Sequence, residues 1–310
     1  MRLAPLLGKT RRVRTAGALG AAAAVALLAG CGGPGGGTGT GTQGGSPSAA
    51  PSPRTYESFT SYPGWIQGSI PPDRFDFSPW TVISDFGLWP TGTGGIAVGD
   101  MGTLSHIPPA VRYAHKAGRT IIMAVGEQGL GPAFAAGATP QYRTALINNI
   151  VGYVSKYNFD GADIDWEEQV PQNEANYVAL VSGVRAALDR AFPGRHMYLS
   201  ADVNLGQVPP AIAAKTAPYV DSLNLETFQD NGMSSVAAYT AAGIPASRLL
   251  LGIGIAPGYY DTTEASVSAK VRYAESHGLR GTLLWQPGDL RPYRTDPRLI
   301  PLRLMINTER

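Results

Sequence analysis

The sequence predicts an α/β fold of the (β/α)8 class, a closed ring of eight parallel strands alternating with helices. Three observations point there. Short apolar runs alternate with longer segments of helical periodicity, the pattern of a parallel sheet covered by helices. Once a non-globular N-terminus is set aside, about 255 residues remain, near the length of one such barrel. The fourth apolar run ends in carboxylates at alternate positions, and barrels of this kind carry their working residues at the carboxyl ends of strands.

The N-terminus is expected to lie outside the fold. Residues 1–15 carry Arg2, Lys9, Arg11, Arg12 and Arg14 with no acid, and residues 16–30 are apolar and Ala-rich. This reads as a secretory signal peptide, too short for a comfortable transmembrane helix. The boundary Leu28-Ala29-Gly30-Cys31 resembles a bacterial lipobox, and Cys31 is the only cysteine. The expectation is cleavage before Cys31, lipidation of it, and a membrane-anchored lipoprotein of a bacterial cell envelope. Arg11-Arg12 leaves both the Sec and twin-arginine routes open. From Gly32 to Thr55 the chain is Gly, Thr, Ser, Pro and Ala with almost no charge, which cannot bury a core and serves as a flexible tether. The expected organisation is therefore signal peptide 1–30, lipidated linker 31–55 and one barrel domain 56–310.

Charge narrows the partners. The whole chain has 25 basic and 23 acidic residues, but five basic and no acidic residues lie in 1–30, leaving 20 against 23, a net charge of −3. No basic stripe suggests nucleic acid. With one cysteine, at the anchor, the domain has no disulfide and must be held by burial.

The elements follow in order. Residues 62–66 read as strand one and 80–88 as strand two. Residues 111–117 are helical, Gly118 ends that helix, and 120–125 is strand three. Leu146, Ile147, Ile150, Val151 and Val154 form a helical stripe in 142–157 that leads into strand four. A helix over 176–192 stops at Pro193-Gly194, and 197–203 is strand five. Residues 220–228 are strand six and 249–255 strand seven. Asp261-Thr262-Thr263-Glu264 resembles a capping box for a helix running to about His277. Residues 281–286 are strand eight.

The segment Asp160-Gly161-Ala162-Asp163-Ile164-Asp165-Trp166-Glu167 carries most of the chemistry. Strand side chains alternate between faces, so Asp163, Asp165 and Glu167 share one face, and Ile164 and Trp166 the other. Three acids on one face repel, and unless water or a cation screens them at least one holds a proton near neutral pH. Gly161 is expected to permit a backbone conformation closed to other residues. Other polar or aromatic residues fall at the same ends of other strands: Glu127 and Gln128, Asp202 and Asn204, Glu226 and Gln229, Trp285 and Gln286. Trp65 and Trp89 are candidates to extend a cleft, as is Tyr62 to contact a substrate.

The octet resembles the D-G-x-D-x-D-x-E signature of glycoside hydrolase family 18, the chitinases and endo-β-N-acetylglucosaminidases, at all five fixed positions. The resemblance implies a TIM barrel with the octet on strand four and Glu167 as general acid. It implies retaining catalysis assisted by the substrate's own 2-acetamido group, with Asp165 orienting that group, Asp163 behind it, and Glu167 returning as base for water. This family is one of the stated exceptions to the two-carboxylate scheme. Trp285 falls where the family carries the Trp that floors the sugar site, and aromatic faces suit sugars. A poly- or oligosaccharide substrate is implied, with no cofactor and no metal.

Two segments depart from the family. Strand six continues Glu226-Thr227-Phe228-Gln229, so Phe228 stands where a Tyr hydroxyl commonly helps hold the acetamido group. Strand three ends Ala124-Val125-Gly126-Glu127 where Ser-x-Gly-Gly is frequent. Chitin or its oligomers are the first expectation, with peptidoglycan and N-glycan cores as alternatives. Glu226 also permits a conventional nucleophile or base on a non-acetylated glycan. A catalytically silent glycan-binding protein is a separate class. A hard-cation site on Asp163, Asp165 and Glu167 has less support, since nothing singles out further oxygen ligands.

Overall fold

The computed structural model describes residues 56–290 and 292–308, so the expected signal peptide, Cys31 and linker lie outside the described residues. Eight parallel strands close a barrel: β1 (Glu57–Pro63), β2 (Val82–Pro90), β3 (Thr120–Gly126), β4 (Gly161–Asp165), β5 (Tyr198–Val203), β6 (Ser222–Leu225), β7 (Leu249–Gly254) and β8 (Gly281–Trp285). Each pairs with its sequence neighbours, and β8 and β2 flank β1, which shuts the ring. The end of β2 also pairs antiparallel with Ile96–Ala97, a short hairpin outside the barrel. Among the described residues, no helix is long and apolar enough to cross a membrane.

Two expected boundaries move. The first strand is Glu57–Pro63, and the residues expected to form it continue into a single helical turn, Gly64–Gln67. Ser58 and Thr60 are fully buried there. A barrel strand is covered on both faces, so its polar members hide its extent from a reading based on apolar runs. β6 is only Ser222–Leu225, because the chain turns at Glu226, where Thr227 N donates to Leu225 O (2.8 Å).

The longer helices pack apolar stripes on the outside of the barrel. The helix Arg143–Tyr157 buries Leu146, Ile150 and Val154, and Glu174–Ala191 buries Tyr177, Leu180, Val181, Val184 and Leu188, both at helical spacing. The helix Glu264–Ser276 is capped by Thr263, whose side chain accepts from Ser266 N while Ser266 Oγ accepts from Thr263 N. The capping partner is thus Ser266, and Asp261 has another task, described below.

The inward faces divide into tiers. Phe59, Val82, Ile122, Tyr198, Leu250 and Leu283 form a compact apolar plug inside the ring. Alternation along each strand then places Ser84, Asp163, Ser200 and Asn224 further toward the carboxyl mouth, followed by Asp165, Asp202 and Trp285. Close strand approach depends on glycine at two points beside the acids. A Cβ on Gly161 would lie 1.9 Å from Tyr198 O, and one on Gly126, at φ +129°, would lie 1.9 Å from Asp165 O. Gly161 is therefore required for lack of space, not for an unusual φ as expected.

Candidate active site

The acids of β4 stand in a graded environment. Asp163 is buried beneath the mouth and accepts from Ser200 Oγ (2.6 Å), Ser84 Oγ (3.2 Å) and Asn224 Nδ2 (3.4 Å). Burial pushes it up to about 6, against which the two serines work. Asp165, one pleat higher and 3% exposed, is raised well above the ordinary range by burial and then by Asp202, Glu226, Glu167 and Asp163 around it. Glu167 lies past the strand end, half-buried at the rim, and burial with Glu168 nearby pushes it up to about 7.

The residue between them anchors the backbone. Trp166 is fully buried, stacks on Phe134 (5.1 Å, 5°), meets Tyr177 edge-on and donates its indole N–H to Glu168 O (2.7 Å). Side chains of Asp165 and Glu167 therefore project from a main chain held from behind.

From β5 and β6, Asp202 and Glu226 complete the acidic group. Oxygens of Asp165, Asp202 and Glu226 all lie within 4.8 Å of one another, a spacing that hard cations can also use. The octet trio weighed from sequence is thus not the set that converges. Asp202 is raised well above its ordinary value by burial and neighbouring acids, although Asn224 Nδ2 donates to it (2.7 Å). Glu226 receives Asn204 Nδ2 (3.2 Å), is hydrogen-bonded to Glu167 and is pushed up to about 8, by burial first and Glu167 second. Among the described residues, none of those lining the cavity is Lys, Arg or His. Burial and mutual repulsion favour the protonated forms of these acids, and Glu226 and Glu167 are placed to share a proton.

The cavity above them, about 530 Å³, has one aromatic wall. Trp285 meets Phe86 at 5.3 Å and Trp65 at 6.0 Å, and Phe228 lies between Tyr259 (5.9 Å) and Trp285 (6.4 Å), nearly parallel to both. Glu127, Asp202, Glu226, Phe228, Gln229 and Trp285 all line it, as does Trp65. Phe228 brings a ring and no hydroxyl to this wall.

Tyr62 does not belong to the site. It is fully buried, packs on Phe75 (4.3 Å) and donates its hydroxyl to Ile70 O (2.6 Å). Its neighbour Ser61 is the inward residue, so the expected contact was assigned to the wrong parity of β1. Trp89 is also outside the cavity, its indole against the turn at Gly99. Asp160 sits at the opposite mouth, bonded to Arg195, His115 (2.9 Å) and Ile121 N (2.9 Å).

Three supporting contacts escaped the sequence reading. Lys270 is buried, ion-paired with Asp261 (2.8 Å), and donates to Thr227 O (2.8 Å) and Gly252 O (2.7 Å), tying the loop of Glu226 and Phe228 to β7. Its signal was a lysine within the stripe Val267, Val271, Ala274. Glu168 accepts from Gly129 N (2.5 Å) and Gly131 N (3.1 Å), joining the loops after β3 and β4. Ser84 and Ser200 carry no signal in a single sequence.

Chitinase A1 of Niallia circulans is 29% identical over 161 residues, 37% of this chain and 23% of that protein. A chitinase-like effector of Moniliophthora perniciosa is 26% identical over 235 residues, 62% of this chain and 53% of that one. The chain thus spans from about a quarter to about half the length of these curated relatives. The Group IV chitinase of Ostrinia furnacalis, solved also in complex with allosamidin, shares the fold with a TM-score of 0.69 at 18% identity, covering 81% of this chain and 100% of that one. Residues 80–262, more than half of the sequence and reaching from β2 past β7, match Glycosyl hydrolases family 18, and the chain belongs to that family.

Proposed function

We propose that the protein is a glycosidase that cleaves β-linked N-acetylglucosamine glycans, chitin or its oligomers first. The observation that carries this reading is Glu167, held at the rim of an aromatic-walled cavity with its ionisation pushed up to about 7. A carboxylic acid that keeps its proton near neutrality suits a general acid. Glu167 protonates the departing glycosidic oxygen as that bond breaks. The substrate's acetamido oxygen attacks the anomeric carbon, and Asp165 steadies the resulting oxazolinium. Water then opens it, giving its proton to Glu167, with retained configuration. Trp285 and Trp65 offer apolar faces to the sugar rings. Peptidoglycan and N-glycan cores fit the same chemistry.

A second reading, glycan binding without cleavage, is supported by the chitinase-like effector among the relatives. Hydrolysis of chitooligosaccharides by the purified protein, beside Glu167→Gln, separates the two. Cleavage by the parent alone, with the β-anomer seen first by NMR, supports the assisted mechanism. Inverted product points to Glu226 as base for water, and binding without cleavage points to the second reading. We propose also that the protein is exported and held at the membrane by lipid on Cys31; Cys31→Ser is expected to move it from the membrane to the soluble fraction, and continued membrane retention counts against lipidation.

A further inference from the structure

A line of hydrogen bonds crosses the barrel interior beneath the acids. At its lower end Arg280 Nε donates to Glu57 Oε2 (2.9 Å), and Glu57 Oε1 is bonded to the Tyr198 hydroxyl. That hydroxyl lies 3.0 Å from Ser222 Oγ, which is 2.8 Å from Asn224 Oδ1. Asn224 Nδ2 then reaches Asp202 Oδ1 at 2.7 Å and Asp163 Oδ1 at 3.4 Å. Ser222 and Asn224 are fully buried, and Glu57 and Tyr198 are 8% exposed. Glu57 faces Arg280, Tyr198 and Asp221, and the Arg280 guanidinium also lies 5.4 Å from the Tyr198 ring centre.

Counting protons gives this line a direction. Asn224 turns its amide N–H groups to two acids, so its oxygen needs a donor, and Ser222 is that donor. A hydroxyl has one proton. Ser222 Oγ, having donated to Asn224, can only accept from Tyr198. Tyr198 also has one proton, so donating it to Ser222 requires Glu57 to carry a proton and donate to the tyrosyl oxygen. When Glu57 is ionised, Tyr198 donates to it instead. Ser222 then either loses its donor or turns toward Tyr198 and leaves Asn224 Oδ1 unpaired. Burial favours the protonated form of Glu57, against the pull of Arg280.

We propose that Ser222 is a positioning residue whose hydroxyl direction is set by Tyr198 and Glu57, and that together they hold the Asn224 amide so that its N–H groups meet Asp163 and Asp202. Those N–H groups stabilise the ionised forms of Asp163 and Asp202 against the burial that raises both, so losing them is expected to raise both titrations further. The kinetic part of the proposal rests on the glycosidase reading; the titration part does not.

The test is a pH titration of the Asp side-chain carboxyl carbons by NMR, with kcat and KM profiles, in the parent, Ser222→Ala, Tyr198→Phe and Glu57→Gln. Ser222→Ala is expected to raise the titration midpoints of Asp163 and Asp202 by about half a unit or more and to lower kcat about tenfold with KM unchanged. Tyr198→Phe shifts them in the same direction but less, because Ser222 keeps its own proton for Asn224. Glu57→Gln stays near the parent, since its amide can donate to Tyr198 while its oxygen accepts from Arg280. Unmoved midpoints in a folded Ser222→Ala overturn the proposal, as does a larger shift in Glu57→Gln than in Ser222→Ala. Ser222→Cys, close in size and a poor donor, replaces the alanine variant if that fails to fold. A parent that cleaves no glycan removes the glycosidase reading, and the carboxyl titration then decides the relay alone.

Discussion

Acids stand at both mouths of this barrel in opposite company. At the amino mouth each meets a cation or a backbone donor: Asp160 meets Arg195, His115 and Ile121 N, Asp221 meets His196 (2.8 Å) and Leu199 N (2.9 Å), and Glu57 meets Arg280. At the carboxyl mouth Asp165, Glu167, Asp202 and Glu226 line a wall that has no cationic side chain among the described residues. The octet spans both environments, opening with Asp160 at one mouth and ending with Glu167 at the other. Asp160 and Asp221 thus serve as bonding partners for cations and backbone donors at one end, while burial and mutual repulsion favour the protonated forms of the four acids at the other, and the difference lies in what strand neighbours supply.

This contrast can be broken at either end. The largest effect is expected for Glu167→Gln, which removes the proposed proton donor: hydrolysis is expected to fall by about 10²–10⁴-fold, while the thermal midpoint hardly moves. Turnover close to the parent's removes Glu167 from its role. Next comes Lys270→Met, which leaves Asp261 buried without its cation. A loss of about 3–5 kcal/mol in denaturant unfolding is expected; an unchanged midpoint means that Asp261 takes up a proton at no cost. Asp160→Asn is expected to cost about 1–3 kcal/mol and leave kcat alone, and a fall in kcat at full folding contradicts the division between the mouths.

The smallest effects sharpen the comparison through pH. Glu226 ionises in the folded protein at about 8, above its ordinary value of 4.5. Between those values the folded chain binds more protons than the unfolded one, so stability from this group is complete below about 4.5 and is lost as pH rises through about 8. Glu226→Gln removes that loss and is expected to raise the thermal midpoint by about 2–4 °C at pH 8, with little change at pH 4. On the proposed mechanism, activity of the parent is expected to fall as pH rises through about 7 and Glu167 gives up its proton. The hydrogen bond from Glu226 opposes that shift, so Glu226→Met moves the alkaline limb to higher pH; a move to lower pH means that Glu226 acts there as a negative charge and not as a donor.

The octet was legible because strand alternation alone puts Asp163, Asp165 and Glu167 on one face, and Trp285 because the resemblance to the family implies a Trp at the end of strand eight, a residue type that suits a sugar face. Tyr62 was misplaced because Pro63-Gly64 obscures where β1 ends, and a shift of one residue reverses the face. Gly161 was read as a conformational need when the constraint is Tyr198 O from the next strand. The line from Glu57 to Asn224 was illegible because its members lie on strands that the ring closure, and no local pattern, brings together, whereas Lys270 left a local signal, a lysine within an apolar helical stripe.

The tryptophans of this chain provide a built-in optical signal. Trp166 is sealed behind the acids and Trp80 is nearly so, whereas Trp65 lines the cavity at 45% exposure beside Trp285. A sugar settling on that wall removes water from Trp65 while Trp166 keeps its dry surroundings. Occupancy of the cleft should therefore shift the intrinsic fluorescence to shorter wavelength without any label, and a glycan that is held but never cut remains as visible as one that is.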